Sequence, residues 1–198
     1  MKQLPESGKN HTGAALLVID VQLGMFESPL ISPVHNADKL LPVVRGMIAR
    51  ARKADVPIVY IQHCGGKGHP LEEGTPSWQI HPAIQPHTGE AVVQKRFSDS
   101  FYDTELQEVL QSKSIGQLFV VGIQTDLCVD TTCRRAFSLG YDVVLVEDGH
   151  STWDNGVLSA EQIIAHHNRT LESSFAKVAR ASSLFEEFQV ATTGKDRT

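Results

Sequence analysis

The feature that most limits what this chain can fold into is a set of short Val- and Ile-rich runs separated by stretches of helical spacing. Residues 14–20, 57–61, 91–95, 118–123 and 141–147 are brief, and each ends at or just before a polar residue. Runs of this length and composition are expected of strands buried on both faces of a parallel sheet. Between them the spacing turns helical. Asn36 stands at an N-cap position before apolar residues at Leu40, Leu41, Val44, Met47, Ile48 and Ala51. Pro42 lies inside that pattern and leaves the helix start open by a turn. Thr104-Glu-Leu-Gln107 reads as a capping box opening a helix with Leu106, Val109 and Leu110 on one face. A helix after Cys128 is closed by Gly140, and Ser159-Ala-Glu-Gln162 is a second capping box, starting a helix to about Leu171. Phe175 to Arg180 completes the pattern as a sixth strand, followed by a short helix over Ser183 to Phe188.

Strands that alternate with helices imply an open sheet covered on both sides, and right-handed crossovers restrict its topology. The expected fold is therefore α/β: a single-domain, doubly wound, mostly parallel six-stranded sheet with helices on both faces. A chain of 198 residues suffices for one such domain, expected over 14–188 with flexible tails at 1–13 and 189–198. In sheets of this kind ligands bind outside the carboxyl ends of the strands, where the strand order reverses. Asp20, Lys95 and Cys128 all fall at or just beyond such ends.

Those three side chains permit a particular chemistry. The connection from Gln124 to Leu127 delivers Cys128 to the first turn of a helix, where peptide dipoles are expected to depress a thiol pKa. Taken singly, a free cysteine is most often a small buried hydrophobe, Asp20 a turn former and Lys95 a solvated strand end. Convergence on one sheet edge favours a nucleophile with a base and a cation beside it. Asp20 would take the thiol proton and later pass it to a leaving nitrogen, while Lys95 stabilises the thiolate. Backbone N–H groups near the helix start would hold the oxyanion.

Composition narrows the partner. A net charge of −5 and a pI near 6.0 give no electrostatic case for nucleic acid or an anionic membrane. The N-terminus lacks the apolar core of a signal peptide and no run approaches a membrane span, so the expectation is a cytoplasmic protein acting on a small molecule. Cys64, Cys128 and Cys133 are odd in number and lack C-x-x-C spacing, which argues for free thiols.

Three blocks carry a family resemblance. Val18-Ile-Asp-Val-Gln22 with Phe26, Gln94-Lys-Arg-Phe-Ser-Asp-Ser-Phe101 with Thr104, and Val121-Gly-Ile-Gln-Thr-Asp-Leu-Cys-Val129 with Thr132 resemble the signature blocks of the isochorismatase-like cysteine hydrolases. That superfamily includes nicotinamidases, N-carbamoylsarcosine amidase, ureidoacrylate amidohydrolase and isochorismatases. The resemblance runs from about residue 14 to residue 185. It implies Asp20 as general base and acid, Lys95 as the charged orienting member and Cys128 as nucleophile. It also implies a cis Ile123–Gln124 peptide, with the Gln124 and Cys128 N–H groups forming the oxyanion hole, and a homo-oligomer, dimer or tetramer. The activity implied is cleavage of a small amide or other C–N bond through a thioester.

Around this centre, Phe26, Trp78 and Phe101 are candidates for a substrate-pocket wall or for core. Gln22 either contacts substrate or secures its loop. Residues 65–90 form a long Gly- and Pro-rich segment of the kind that makes lids and binding loops, with Trp78 and Ile80 as anchors or pocket walls. Cys133, five residues after Cys128, is off its helical face and is expected in the packing. Nicotinamidases hold a metal with an Asp-x-His pattern after the second strand. Here Ile61 stands two residues before His63, so neither a metal nor another cofactor is expected. Two other readings stand beside the amidase: vinyl-ether hydrolysis of the isochorismatase type, and a non-catalytic flavodoxin-like thiol redox or binding module. No Gly-x-Gly-x-x-Gly or phosphate loop supports nucleotide binding.

Overall fold

A computed structural model describes residues 12–184. Most of the two expected tails, and the expected last helix beyond residue 184, lie outside the described residues. Six strands alternate with four helices: β1 (Gly13–Ile19), α1 (Ala37–Lys53), β2 (Ile58–His63), β3 (Ala91–Lys95), α2 (Leu106–Ser112), β4 (Ile115–Ile123), α3 (Asp130–Ser138), β5 (Asp142–Ser151), α4 (Ala160–Ser174) and β6 (Lys177–Ala179). The strands form one sheet in the order β3-β2-β1-β4-β5-β6, parallel throughout. The order reverses between β1 and β4, whose carboxyl ends lead to Asp20 and to the turn bearing Cys128.

The unbroken apolar runs follow from coverage on both sides. In β1, Leu16 and Val18 face one layer, with Val44, Met47 and Ile48 of α1, while Ala15, Leu17 and Ile19 face the other, with Leu106 and Leu110 of α2 and Cys133 and Ala136 of α3. The period of two along a strand sends neighbours to opposite cores, so every position must be apolar. Full burial of each Leu or Ile contributes about 1.5–3 kcal/mol.

Several boundaries differ from the sequence expectation, each for a local reason. α1 begins at Ala37 and runs through Pro42, which faces solvent, so only one backbone hydrogen bond is given up. Asn36 precedes it in left-handed conformation (φ 51°) without a side-chain cap, its amide nitrogen instead meeting His35 Nε2 at 2.6 Å. The Thr104 capping box does not form. The Thr104 hydroxyl donates to Ser100 O at 2.6 Å, and α2 starts at Leu106. The Ser159–Gln162 box forms with both arms in place. Gly140, at φ 90°, ends α3 in a Schellman arrangement, Gly140 N–H donating to Phe137 O and Tyr141 N–H to Ala136 O. β5 continues past Glu147 to Ser151 after a register shift against β4, because the polar residues that ended the apolar run still pair.

Candidate active site

Asp20, Lys95 and Cys128 meet at the switch point of the sheet. Asp20 leaves β1 with φ 52° and is 1% exposed; Lys95 ends β3 and is 2% exposed. Lys95 reaches across the end of β2, placing Nζ 2.8 Å from Asp20 Oδ2 and 3.0 Å from Cys128 Sγ. Its third contact is Phe97 O at 3.1 Å. Two of these contacts, to Cys128 Sγ and Phe97 O, are hydrogen bonds donated by the ammonium, and the third is an ion pair.

Cys128 sits in a π-helical turn, Thr125–Val129, and not in the first turn of α3, which begins at Asp130. The expected depression of its pKa is not found. Burial and the Asp20 carboxylate push the thiol up to about 12, with Lys95 opposing. Lys95 itself is held above the ordinary lysine value: burial works against its charge, but Asp20 and Cys128 outweigh it. The resting centre is therefore a neutral thiol beside an ammonium–carboxylate pair.

The Ile123–Gln124 peptide is cis. Gln124 O accepts from Leu127 N–H and Val129 N–H, both at 3.1 Å, and among the described residues no acceptor pairs with the Gln124 N–H. Gly122 makes this junction possible. At φ 136° it lies so close to β1 that a Cβ would overlap the Ile19 carbonyl.

The turn is braced by buried polar residues, of which Ser100, Thr125 and Thr132 belong to the three sequence blocks while His150 and Thr152 stand outside them. The Thr125 hydroxyl lies 2.8 Å from His150 Nδ1, and His150 Nε2 faces Asn168 Oδ1 at 2.8 Å. Thr152 donates to Asp126 Oδ1 at 2.5 Å. Ser100 and Thr132 hydroxyls, 2.8 Å apart, tie the segment after β3 to α3. A buried His or Thr just past an apolar strand was the available signal, but only the extension of β5 places these residues beneath the turn.

The expected pocket residues hold other positions. Gln22 is fully buried, its amide donating to His63 O and Trp78 O and accepting from His63 N–H, so it staples β2 to the following loop. Phe26 packs in the core edge-on to His81, and Phe101 packs beside Tyr141. Trp78 contributes its carbonyl to Gln22 and Gln62. The 65–90 loop is not structureless: Leu71, Ile80 and Ile84 anchor it, with short 3-10 turns at Pro76–Trp78 and Pro82–Ile84. Cys133 is packed as expected, its thiol pushed up by burial. A cavity of about 450 Å³ opens instead at Gln124, walled by Met25, Ile31, Pro70 and Trp153 with Ser32 and His69.

The residues present do not fit a metal of the nicotinamidase type. Ile61 is buried and apolar, and His69 Nδ1 already accepts from Leu71 N–H at 3.0 Å. Among the described residues no three His, Cys, Asp or Glu converge. No described helix is long and apolar enough to cross a membrane.

A doubly wound sheet with a buried carboxylate, ammonium and thiol at its switch point defines a three-layer α/β/α protein built around a cysteine centre. Residues 14–182 match the isochorismatase domain model, and the chain belongs to the isochorismatase family. Streptothricin hydrolase of Streptomyces noursei is 38% identical over 140 residues, 71% of this chain, and that match spans only about half (50%) of the relative's length. Ureidoacrylate amidohydrolase of Variovorax paradoxus is 24% identical, covering 90% of this chain and 82% of its own. The crystal structure of an isochorismatase from Pseudomonas putida KT2440 superposes with a TM-score of 0.80 at 32% identity, covering 92% of this chain and 93% of that one.

Proposed function

We propose that this protein is a cysteine hydrolase that cleaves a small amide or related C–N bond, releasing ammonia or an amine. The observation that carries the reading is Lys95 Nζ bridging Asp20 Oδ2 at 2.8 Å and Cys128 Sγ at 3.0 Å in a buried site. The neutral thiol needs a base, and the neighbouring carboxylate is one. As Sγ attacks the carbonyl carbon, its proton passes to Asp20 and the carbonyl π electrons move to oxygen. The Gln124 and Cys128 N–H groups receive that oxyanion. Collapse of the tetrahedral intermediate breaks the C–N bond while Asp20 returns the proton to the leaving nitrogen. Asp20 then deprotonates a water, which attacks the thioester; collapse releases the acid and returns the proton to sulfur. Lys95 keeps its charge throughout and holds both partners in place. The name of the ureidoacrylate amidohydrolase relative agrees with C–N cleavage.

Intact-mass analysis during turnover of a screen of small amides tests the reading. An acyl adduct on Cys128, with ammonia release abolished in Cys128→Ala, is the expected result. Amide turnover retained in full by Cys128→Ala would remove the cysteine nucleophile, whereas vinyl-ether cleavage by Cys128→Ala with no amide turned over by the wild type would favour isochorismatase-type hydrolysis, which needs the acid but no thiol.

A further inference from the structure

We infer that the amide accepted here carries an uncharged, largely apolar acyl group, selected by the walls formed by Met25, Ile31, Pro70 and Trp153; the inference rests on the amidase reading. The cavity at Gln124 holds about 450 Å³, within the range of small-molecule sites, and reaches the candidate oxyanion turn directly. Its polar lining is neutral. Ser32 and His69 contribute hydroxyl and imidazole, and no Lys, Arg, Asp or Glu lines it among the described residues. His69 Nδ1 accepts the Leu71 N–H, which leaves Nε2 as the ring's other nitrogen. The Trp153 indole N–H donates to Ser32 O at 2.8 Å, fixing the ring as a wall.

A carboxylate-bearing substrate needs a cation, and among the described residues none lines the cavity. Lys95 Nζ donates to Cys128 Sγ and Phe97 O at 3.0 and 3.1 Å and is ion-paired with Asp20 at 2.8 Å. Arg96 pairs with Glu73 at 2.9 Å and its side chain is 65% exposed. A second carboxylate brought beside these walls would lose water without gaining a partner and would be repelled by Asp20. An apolar acyl group displaces water from Met25, Ile31, Pro70 and Trp153 at no such cost.

Matched amides test this. Benzamide and 4-carbamoylbenzamide are compared with 4-carbamoylbenzoate, and pentanamide with 4-carbamoylbutanoate, by two readouts. One is kcat/KM for ammonia release; the other is protection of Cys128 from alkylation by iodoacetamide, which requires occupancy and no turnover. The neutral members should exceed their carboxylate counterparts by about 100-fold in kcat/KM and protect at correspondingly lower concentration. Ile31→Arg, which places a cation on the wall and leaves Asp20, Lys95 and Cys128 intact, should bring the ratio close to one or below. Selective protection by neutral amides without ammonia release or acylation would remove the amidase reading and keep the pocket assignment. Equal protection by the two classes, including none by either, or preference for the carboxylates, overturns the inference.

Discussion

Acid should weaken this protein through one buried side chain, His150. The ring is 4% exposed, takes the Thr125 hydroxyl on Nδ1 and faces Asn168 Oδ1 through Nε2. A neutral ring with its proton on Nε2 satisfies both contacts. Burial lowers its pKa to about 4, whereas in the unfolded chain it titrates near 6.5. Between those values the unfolded state binds a proton that the folded state does not, so stability falls as pH drops through that window and levels off below it. A gap of about 2.5 units at about 1.4 kcal/mol each gives a loss of about 3 kcal/mol. Urea unfolding of the wild type and His150→Gln, near pH 7.5 and near pH 4.5, isolates the effect, because Gln keeps an acceptor for Thr125 and does not titrate. At the higher pH the variant should be less stable by about 1–2 kcal/mol, from one lost hydrogen bond and imperfect packing. By the lower pH that difference should have shrunk by about 2.5 kcal/mol and reversed. His63 and His81 are also lowered by burial, but they are common to both proteins and cancel. A difference between the two proteins that does not change with pH would refute the reasoning.

Three other substitutions probe the site. Gly122→Ala places a Cβ against the Ile19 backbone at φ 136° and should cost roughly 3–5 kcal/mol by chemical denaturation; a loss under about 1 kcal/mol contradicts the close approach of β4 to β1. Asp20→Asn removes a charge that helps hold the Cys128 thiol near 12, so iodoacetamide alkylation of Cys128 near pH 8 should accelerate, about tenfold per unit of pKa lost, while amide turnover falls. Alkylation no faster than in the wild type would show that Asp20 does not act on the thiol. Lys95→Met strands a 1%-exposed carboxylate and should destabilise by about 3–5 kcal/mol in urea unfolding near pH 7. A loss under about 1 kcal/mol would mean that Asp20 does not depend on Lys95 as its charged partner.

Much of the layout was legible in the chain because strand burial leaves a direct trace. β1 from Ala14 and β4 from Leu118 must be apolar, since successive side chains enter different cores, and both runs stop where the sheet ends. Asp20, Lys95 and Cys128 were visible as polar or reactive residues at or just beyond the ends of β1, β3 and β4. Caps depend on where the helix starts. Ser159 and Thr104 head the same four-residue pattern, yet only the Ser159 box closes, because α2 starts at Leu106 after Glu105 and Thr104 Oγ1 accepts only the Leu106 N–H, at 3.3 Å.

The pocket was read from aromatic residues near strand ends, and the structure distributes those residues differently. Phe26 and Phe101 are drawn into the two cores, while Gln22 is consumed by backbone groups of β2 and the following loop. Met25, Ile31, Pro70 and Trp153 come from three separate loops and share no spacing. The sequence by itself determined the layered fold and the positions of a carboxylate, an ammonium and a thiol, because periodicity and strand ends are local properties of a chain. Only the tertiary structure decided the protonation state of Cys128, the brace of Thr125, His150 and Asn168, and the neutral walls of the cavity. Each of these depends on burial and on contacts between residues far apart in the chain, and no local pattern encodes them.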